Sequence, residues 1–212
     1  TKIRGSNPKY MNPKFSHFVA PKGTASICDY LLGKAHLKFR KLTAIKRAEN
    51  QLLESGWHVT AEDGSSHHFH SVVITTPIPQ ALEIDGIANL MIDRDDDLAS
   101  RLQAVEFSSR WAAAISLSAA AWNDVQSLGW GAWYVSCEES KSICYVAIDE
   151  LKRGNYDSPT TGPTFVVHCG VPWSLQNGAG TSRGKELGDL RPNVQAQILA
   201  ETKRLIPEIL DQ

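Results

Sequence analysis

The chain has 212 residues, with 22 Lys plus Arg against 23 Asp plus Glu and a formal net charge of −1. This length is enough for one large domain or two small ones with a sizeable core. The even charge balance excludes the basic surface that nucleic acids and anionic membranes require. No apolar run approaches the roughly 20 residues that cross a bilayer.

The first part of the chain predicts a loop, a strand, a helix and then a three-stranded meander. Asp63-Gly64 is a strong hairpin signal between the last two strands of that meander. The predicted elements are a loop over Lys2–Lys14, a strand over Phe15–Ala20, a helix over Lys22–Ala35 and strands over Leu37–Ile45, Gly56–Ala61 and Ser66–His70.

The segment Ser71–Pro77 is β-branched and apolar, and it ends in two hydroxyls and a proline. A continuous run of apolar residues is typical of a strand that is buried on both faces, as in a parallel sheet covered by helices. Pro77 stops the ladder because it has no N–H to donate. Ligands of open α/β sheets lie beyond the carboxyl ends of such strands, so Thr75 and Thr76 are expected beside a cofactor. The alternative is an ordinary buried strand followed by a turn.

After Pro79 the pattern predicts mostly antiparallel strands with flanking helices, which favours an α+β arrangement. The predicted helices are Ala81–Met91, Asp97–Val105 and Arg191–Leu205, and the predicted strands are Ser109–Ser118, Trp133–Cys137, Ile143–Asp149 and Phe165–Val171.

Four histidines of the meander raise the question of a metal site: His58, His67, His68 and His70. On a strand, His68 and His70 share a face, and His58 would lie across the hairpin. Three imidazoles would suit zinc or nickel. No acid or cysteine completes a set, so we interpret these rings as polar surface residues and assign no metal.

The four cysteines are Cys28, Cys137, Cys144 and Cys169, and none of them forms a C-x-x-C pair. Their spacing fits neither a zinc ribbon nor a dense disulfide framework. We interpret them as reduced thiols of a cytoplasmic protein, with one disulfide between Cys137 and Cys144 left open. Secretion also stays open, since the sequence begins at Thr1 rather than Met.

Five blocks follow one another along the chain with a specific spacing: Phe18–Ile27, Pro77–Leu82, Phe107–Trp111, Tyr145–Arg153 and Phe165–Trp173. This series resembles the renalases, flavoproteins of the flavin amine oxidase superfamily. The resemblance extends from about Phe15 to Pro207.

The resemblance implies a fold that is α/β plus α+β, namely a two-domain FAD-dependent oxidoreductase fold. Residues 22–80 would form part of the FAD-binding domain, and residues 1–21 with 81–212 a substrate-binding domain built on an antiparallel sheet. The G-x-G-x-x-G turn that holds the FAD pyrophosphate is missing, and so is the closing segment of such proteins. We therefore expect an internal fragment that by itself binds FAD weakly and is inactive.

The resemblance also implies roles for individual residues. His168 and Tyr134 match residues that line the substrate cavity, whereas a lone histidine in an apolar strand is otherwise a hydrogen-bonded core residue. Leu42 matches a residue that presents its backbone to the adenine, and Thr75 and Pro77 match positions near the adenosine half of FAD. No catalytic acid, base or nucleophile is assigned.

The implied activity is oxidation of dihydro isomers of NAD(P)H by FAD, with oxygen as acceptor and hydrogen peroxide as product. The expected partners are thus a dihydropyridine nucleotide and oxygen, and protein partners stay unknown. Direct hydride transfer requires orientation and desolvation rather than a base. One alternative is another flavin-dependent amine oxidase. A second is a non-enzymatic remnant that keeps the substrate domain as a binding module.

Overall fold

The computed structural model describes residues 3–5, 18–35, 44–51, 56–87, 90, 96–154, 161–180 and 185–210. The chain divides into two compact units. The sheet unit comprises Thr1–Ala35 and Ser108–Gln212, and the meander unit comprises His36–Phe107. These borders differ from those of the domains expected from the sequence, 22–80 against 1–21 and 81–212. The expected domains were defined by FAD binding and substrate binding, and this division of roles stays a prediction.

The meander unit contains the predicted three-stranded antiparallel sheet. Its strands are β2 (Ile45–Gln51), β3 (Gly56–Ala61) and β4 (Ser66–Phe69), in the order β2-β3-β4, and its helices are α2 (Ile78–Leu82) and α3 (Asp96–Gln103). Gly64 turns the hairpin with a φ of 81°, and the Asp63 carboxylate accepts a hydrogen bond of 2.9 Å from the Ser65 N–H. The hairpin signal is therefore confirmed.

The first strand of the meander lies later in the chain than expected. The sequence favours Leu37–Ile45, whereas the strand that pairs with β3 is Ile45–Gln51; residues 36–43 lie outside the described part. The segment Ile45–Gln51 is mostly polar, and its small residue Ala48 is buried in the apolar cluster of this unit. A mostly polar strand gives almost no apolar alternation, so its sequence carries little signal.

The prediction of a buried strand over Val72–Thr75 is wrong. Residues 71–75 belong to no strand, and the Val73 side chain is 84% exposed. Val72 and Ile74 pack on the buried Ala48, Val59 and Ile87, so only one side of the segment is covered. A strand buried on both faces needs ladder neighbours as well as apolar side chains, and the described residues supply none.

The sheet unit is a five-stranded mixed sheet with helices, in the order β1-β6-β7-β8-β5. Only β1 and β6 are parallel; every other pair is antiparallel, as the sequence predicts. The strands are β1 (Ile3–Gly5), β5 (Ala112–Ser116), β6 (Ala132–Tyr134), β7 (Ile143–Ile148) and β8 (Thr164–Cys169). The helices are α1 (Ala25–Ala35), α4 (Trp122–Ser127), α5 (Asp149–Arg153), α6 (Val171–Gln176), α7 (Lys185–Leu205) and α8 (Pro207–Leu210).

Two predictions for the start of the chain are wrong. Lys2–Lys14 was expected as a loop, yet Ile3–Gly5 pairs with β6 as β1. Phe15–Ala20 was expected as a strand, yet residues 18–20 carry no regular structure, and residues 15–17 lie outside the described part. A three-residue strand is too short to show the alternation on which a sequence-based assignment depends.

One face of this sheet is packed against α7 to form the main core. Phe165 and Val167 of β8 are completely buried, and α7 contributes Val194 and Ile198 one helical turn apart. Thr202, the next residue in that series, is also buried, and its hydroxyl donates a 2.7 Å hydrogen bond to the Ile198 carbonyl. The buried stripe of α7 therefore includes a polar residue at little cost.

The helix α7 begins earlier than predicted, at Lys185 rather than Arg191. Pro192 lies inside it. A proline near the start of an amphipathic pattern is typical of a first helical turn, which explains the late start in the sequence-based assignment. None of the described helices is long and apolar enough to cross a membrane.

We predict that Gly162→Ala destabilises the sheet unit far more than Gly170→Ala does. A Cβ at Gly162 would overlap the carbonyl oxygen of Leu117 and lie 2.5 Å from the carbonyl carbon of Ser118, so the connection into β8 would have to move away from β5. The expected loss in unfolding free energy is about 3 kcal/mol. At Gly170 the nearest side-chain atom, the Cδ of Pro172, is 3.9 Å away. Its extended φ of −66° suits alanine, so we expect a change below about 1 kcal/mol.

Chemical denaturation of both variants beside the unsubstituted protein measures these differences. Equal stability losses for the two alanines would contradict this account of how β5 and β8 approach each other.

Candidate functional site

Three ring side chains form a row across adjacent strands of the sheet unit. Tyr134 of β6 lies directly opposite Tyr145 of β7, and Tyr145 lies directly opposite His168 of β8. The tyrosine ring centroids are 5.1 Å apart. The Tyr145 and His168 rings are 5.7 Å apart and meet edge to face. Residues opposite each other across a ladder share a face, so the row forms one continuous surface.

A β-bulge in β7 lies directly before Tyr145. The register with β8 shifts between Ile143 and Tyr145, so Cys144 is the additional residue. Ile143 and Val146 are both buried in the core, although strict alternation would put residues three apart on opposite faces. The bulge lets both of these residues point into the core while Tyr145, between them, faces the other side with His168 and Tyr134.

The connection between β6 and β7 is fixed by a buried hydroxyl. Ser140 is 5% exposed; its Oγ donates a 2.6 Å hydrogen bond to Glu201 of α7 and accepts one of 3.0 Å from the Ile143 N–H. Arg204 donates to the same carboxylate. The hydrogen bonds from Arg204 and from Ser140 lower the pKa of Glu201, so this turn is held to α7 by an ionised acid.

The rest of this face is made of small side chains. Ala112 and Ala114 of β5 are exposed, and Ala114 lies in the row formed by Val166, Ala147 and Ala132. Ala132 and Ala147 are 4% and 1% exposed, so this row is open only toward β5. The surface beside His168 is therefore formed by the exposed alanines of β5, and it is bordered by the aromatic rings of the first row.

A cavity of about 430 Å³ opens beside the two tyrosines. Ile3, Phe18 and Val19 give it apolar walls, and the Phe18 side chain is 90% exposed. Lys152 and Arg153, from the end of α5, also line it. The cavity thus combines ring surfaces, apolar walls and positive charge.

His168 is neutral at neutral pH. Partial burial lowers the pKa of its imidazole, and the positive charges of Arg110 and Lys152 lower it further. Burial also raises the pKa of Cys169 to about 12 and that of Cys144 above its usual value, so neither thiol supplies a thiolate beside the row. The row can therefore bind and orient a ring, but it offers no strong nucleophile.

The residues assigned to FAD lie in the meander unit. Leu42 falls outside the described residues. Thr75 is exposed and lines a cavity of about 670 Å³, and Pro77, with a φ of −54°, precedes α2. Val72 and Ile74 give the cavity apolar walls and Thr75 a hydroxyl. Its charged lining residues are three acids and one base, namely Glu62, Glu83, Asp85 and Lys46.

The meander histidines do not come together as a metal site. His58 lies opposite His68, and His67 opposite Val59. Among the described residues, no group of three His, Cys, Asp or Glu side chains could hold a metal ion. All four cysteines are free thiols, so Cys137 and Cys144 are not joined.

Reasoning from the sequence found both ends of the row, Tyr134 and His168, but missed its middle and its charge. Tyr145 alternates with the buried Val146 and Ile148, but only the strand register places it opposite Tyr134 and His168. Lys152 looks like an ordinary basic residue in the last turn of a short helix. The sequence does contain a signal for Lys152. The helix α5 begins directly after β7, so a side chain from its last turn can lie over the Tyr145 ring.

The comparisons with known proteins support the resemblance seen in the sequence. The chain is 32% identical to renalase from Mus musculus over 164 residues. The alignment covers 76% of this chain and 44% of that protein, so the matched part spans less than half of its relative. No family model matches the chain. The relationship to renalase is therefore confirmed.

We predict that Arg110→Met raises the pKa of His168 toward its ordinary value, because one of the positive charges that oppose protonation is removed. Proton NMR titration of the imidazole measures this shift. Arg101→Met is the matched control, since Arg101 is an exposed arginine paired with Asp97 and does not act on His168.

The same shift has a consequence for stability. The pKa of His168 is lower in the folded state than in the unfolded state. The free energy of unfolding therefore falls as the pH drops from the unfolded-state pKa toward the folded-state pKa. Arg110→Met should make this loss of stability smaller. An unchanged His168 titration in that variant would contradict the electrostatic account of the row.

Proposed function

We propose that this chain, a relative of renalase over 76% of its length, is part of a flavin-dependent oxidoreductase that oxidises dihydro isomers of NAD(P)H. The observation that carries the proposal is the row of Tyr134, Tyr145 and His168 on the open face of the sheet. The fold would be the two-domain FAD-dependent one, with the sheet unit binding substrate. The meander unit would contribute to the FAD site through Leu42, Thr75 and Pro77.

The row suits a dihydropyridine because this substrate needs to be oriented rather than activated. When bound, FAD supplies the hydride acceptor, and the overall reaction converts the dihydropyridine, one proton and O2 into the pyridinium and hydrogen peroxide. Tyr134 and Tyr145 present ring surfaces at contact distance from each other. The neutral His168 can hydrogen-bond a carboxamide without adding a charge, and the exposed Ala112 and Ala114 of β5 leave room beside it.

Charge argues against the alternative of an amine oxidase. Arg110 and Lys152 both act on His168 at the row, and like charge repels a protonated amine. A dihydropyridine ring is uncharged and meets no such penalty. The non-enzymatic alternative makes a different prediction, since a binding module would retain the row yet carry no flavin.

The test is to purify the full-length protein and measure bound flavin, oxygen uptake and hydrogen peroxide with isomeric dihydronicotinamide nucleotides. We expect a yellow protein that forms one peroxide per dihydropyridine and does not turn over amines. Turnover of amines alone would establish the alternative oxidase, and a flavin-free protein would establish the binding module.

Tyr145→Ala should raise KM for the dihydropyridine about tenfold, because the ring stacking is lost from the middle of the row. Tyr145→Phe should stay within about threefold, because the ring is kept. Tyr30→Ala is the control, since Tyr30 lies exposed on α1 outside the row. A KM that is equally high in the Ala and Phe variants would show that stacking is not the role of this residue.

A further inference from the structure

Two cations of the last turn of α5 line the cavity beside the aromatic row, Lys152 and Arg153. They are consecutive, yet their surroundings differ. The Arg153 Nε lies 2.8 Å from the Asp149 carboxylate. Its guanidinium nitrogen would be 3.4 Å from a Cβ at Gly23, which has a φ of 87°. Arg153 is therefore committed to an ion pair within α5 and packs against the turn at Gly23.

Lys152 approaches the row. Its ammonium nitrogen lies 5.5 Å from the centre of the Tyr145 ring, within the range of a cation–π contact. This contact holds the charge next to the surface on which we place the substrate ring. An ammonium in this position meets any anionic group that extends from that ring into the cavity.

The charged residues of the cavity lining limit where such an anion would lie. Ile3, Phe18 and Val19 offer no charge, whereas the Lys152 ammonium lies at the Tyr145 ring. A ligand with a flat ring at one end and phosphate at the other matches this distribution. A free amine, or an uncharged ring alone, has no anionic group that could interact with Lys152.

We propose that Lys152 binds the phosphate next to the ring of a nicotinamide nucleotide, so that the cavity is a phosphate subsite. This inference rests on the proposed function, since it concerns the same face and the same substrate class. It goes further because it states that the phosphate of the substrate contributes to binding and that Lys152 is the residue that binds this phosphate.

The test compares ligands with and without phosphate on the full-length protein. Nicotinamide mononucleotide and nicotinamide riboside are titrated calorimetrically into four proteins: unsubstituted, Lys152→Met, Lys152→Arg and Lys141→Met. Both ligands carry the same pyridinium charge, so the difference between their affinities isolates the phosphate. Lys141 is the control because it is an exposed lysine outside this cavity. A charge-assisted contact favours the mononucleotide by about 10- to 100-fold. We expect this preference in the unsubstituted protein, its loss in Lys152→Met and its retention in the other two.

A preference that survives Lys152→Met, or a protein without any preference, would overturn the phosphate subsite. The outcome is separable from that of the proposed function. A Lys152-dependent preference in a protein that oxidises no dihydropyridine would leave the subsite standing and remove the oxidase. The opposite result is also distinguishable. If the reduced mononucleotide and the reduced riboside are both oxidised with the same KM, and Lys152→Met leaves both KM values unchanged, the oxidase stands and the phosphate subsite is removed.

Discussion

The site depends on one constraint, the register of three neighbouring strands in the sheet unit. Tyr145 lies opposite Tyr134 and His168 because it alternates with Val146 and Ile148, which point into the core. A one-residue slip of β7 would turn the tyrosine into the core, and the additional residue at Cys144 lets Ile143 enter the core as well. The core and the site are therefore coupled: the apolar residues of β7 that stabilise the unit also decide which ring reaches the open face. The ionised Glu201, bound to Ser140, holds the turn from which this register begins.

Charge gives the open face its second property. The imidazole in the row is kept neutral by burial and by two nearby cations, and the thiols closest to it are protonated. A face that is aromatic, without a nucleophile and positive at one side is suited to holding a ring while a hydride leaves it. This combination connects the relationship to renalase with a chemical reason for the substrate class we propose.

The sequence predicted much of this molecule where its patterns are local. The hairpin at Asp63-Gly64, the strands β3, β7 and β8 and the antiparallel character of the second half follow from turn chemistry and apolar alternation. The failures have a common physical origin. Residues 72–75 have the composition of a strand, but a strand also needs partners for its backbone, and composition does not contain that information. β1 is too short to show a period, and Pro192 suggested a helix start that lies further upstream.

The candidate site was predictable in part for the same reason. His168 and Tyr134 came from matching positions in related flavoproteins, whereas Tyr145 required the strand register and Lys152 the geometry of the β7–α5 connection. Leu42, Thr75 and Pro77 stay predictions.

The most direct test of the central claim is a crystal structure of the full-length, flavin-loaded protein with a bound nicotinamide nucleotide. The account predicts the nicotinamide ring against Tyr145, between Tyr134 and His168, on the face opposite the α7 core. A ring bound elsewhere, with the row covered by side chains of the same protein, would contradict it.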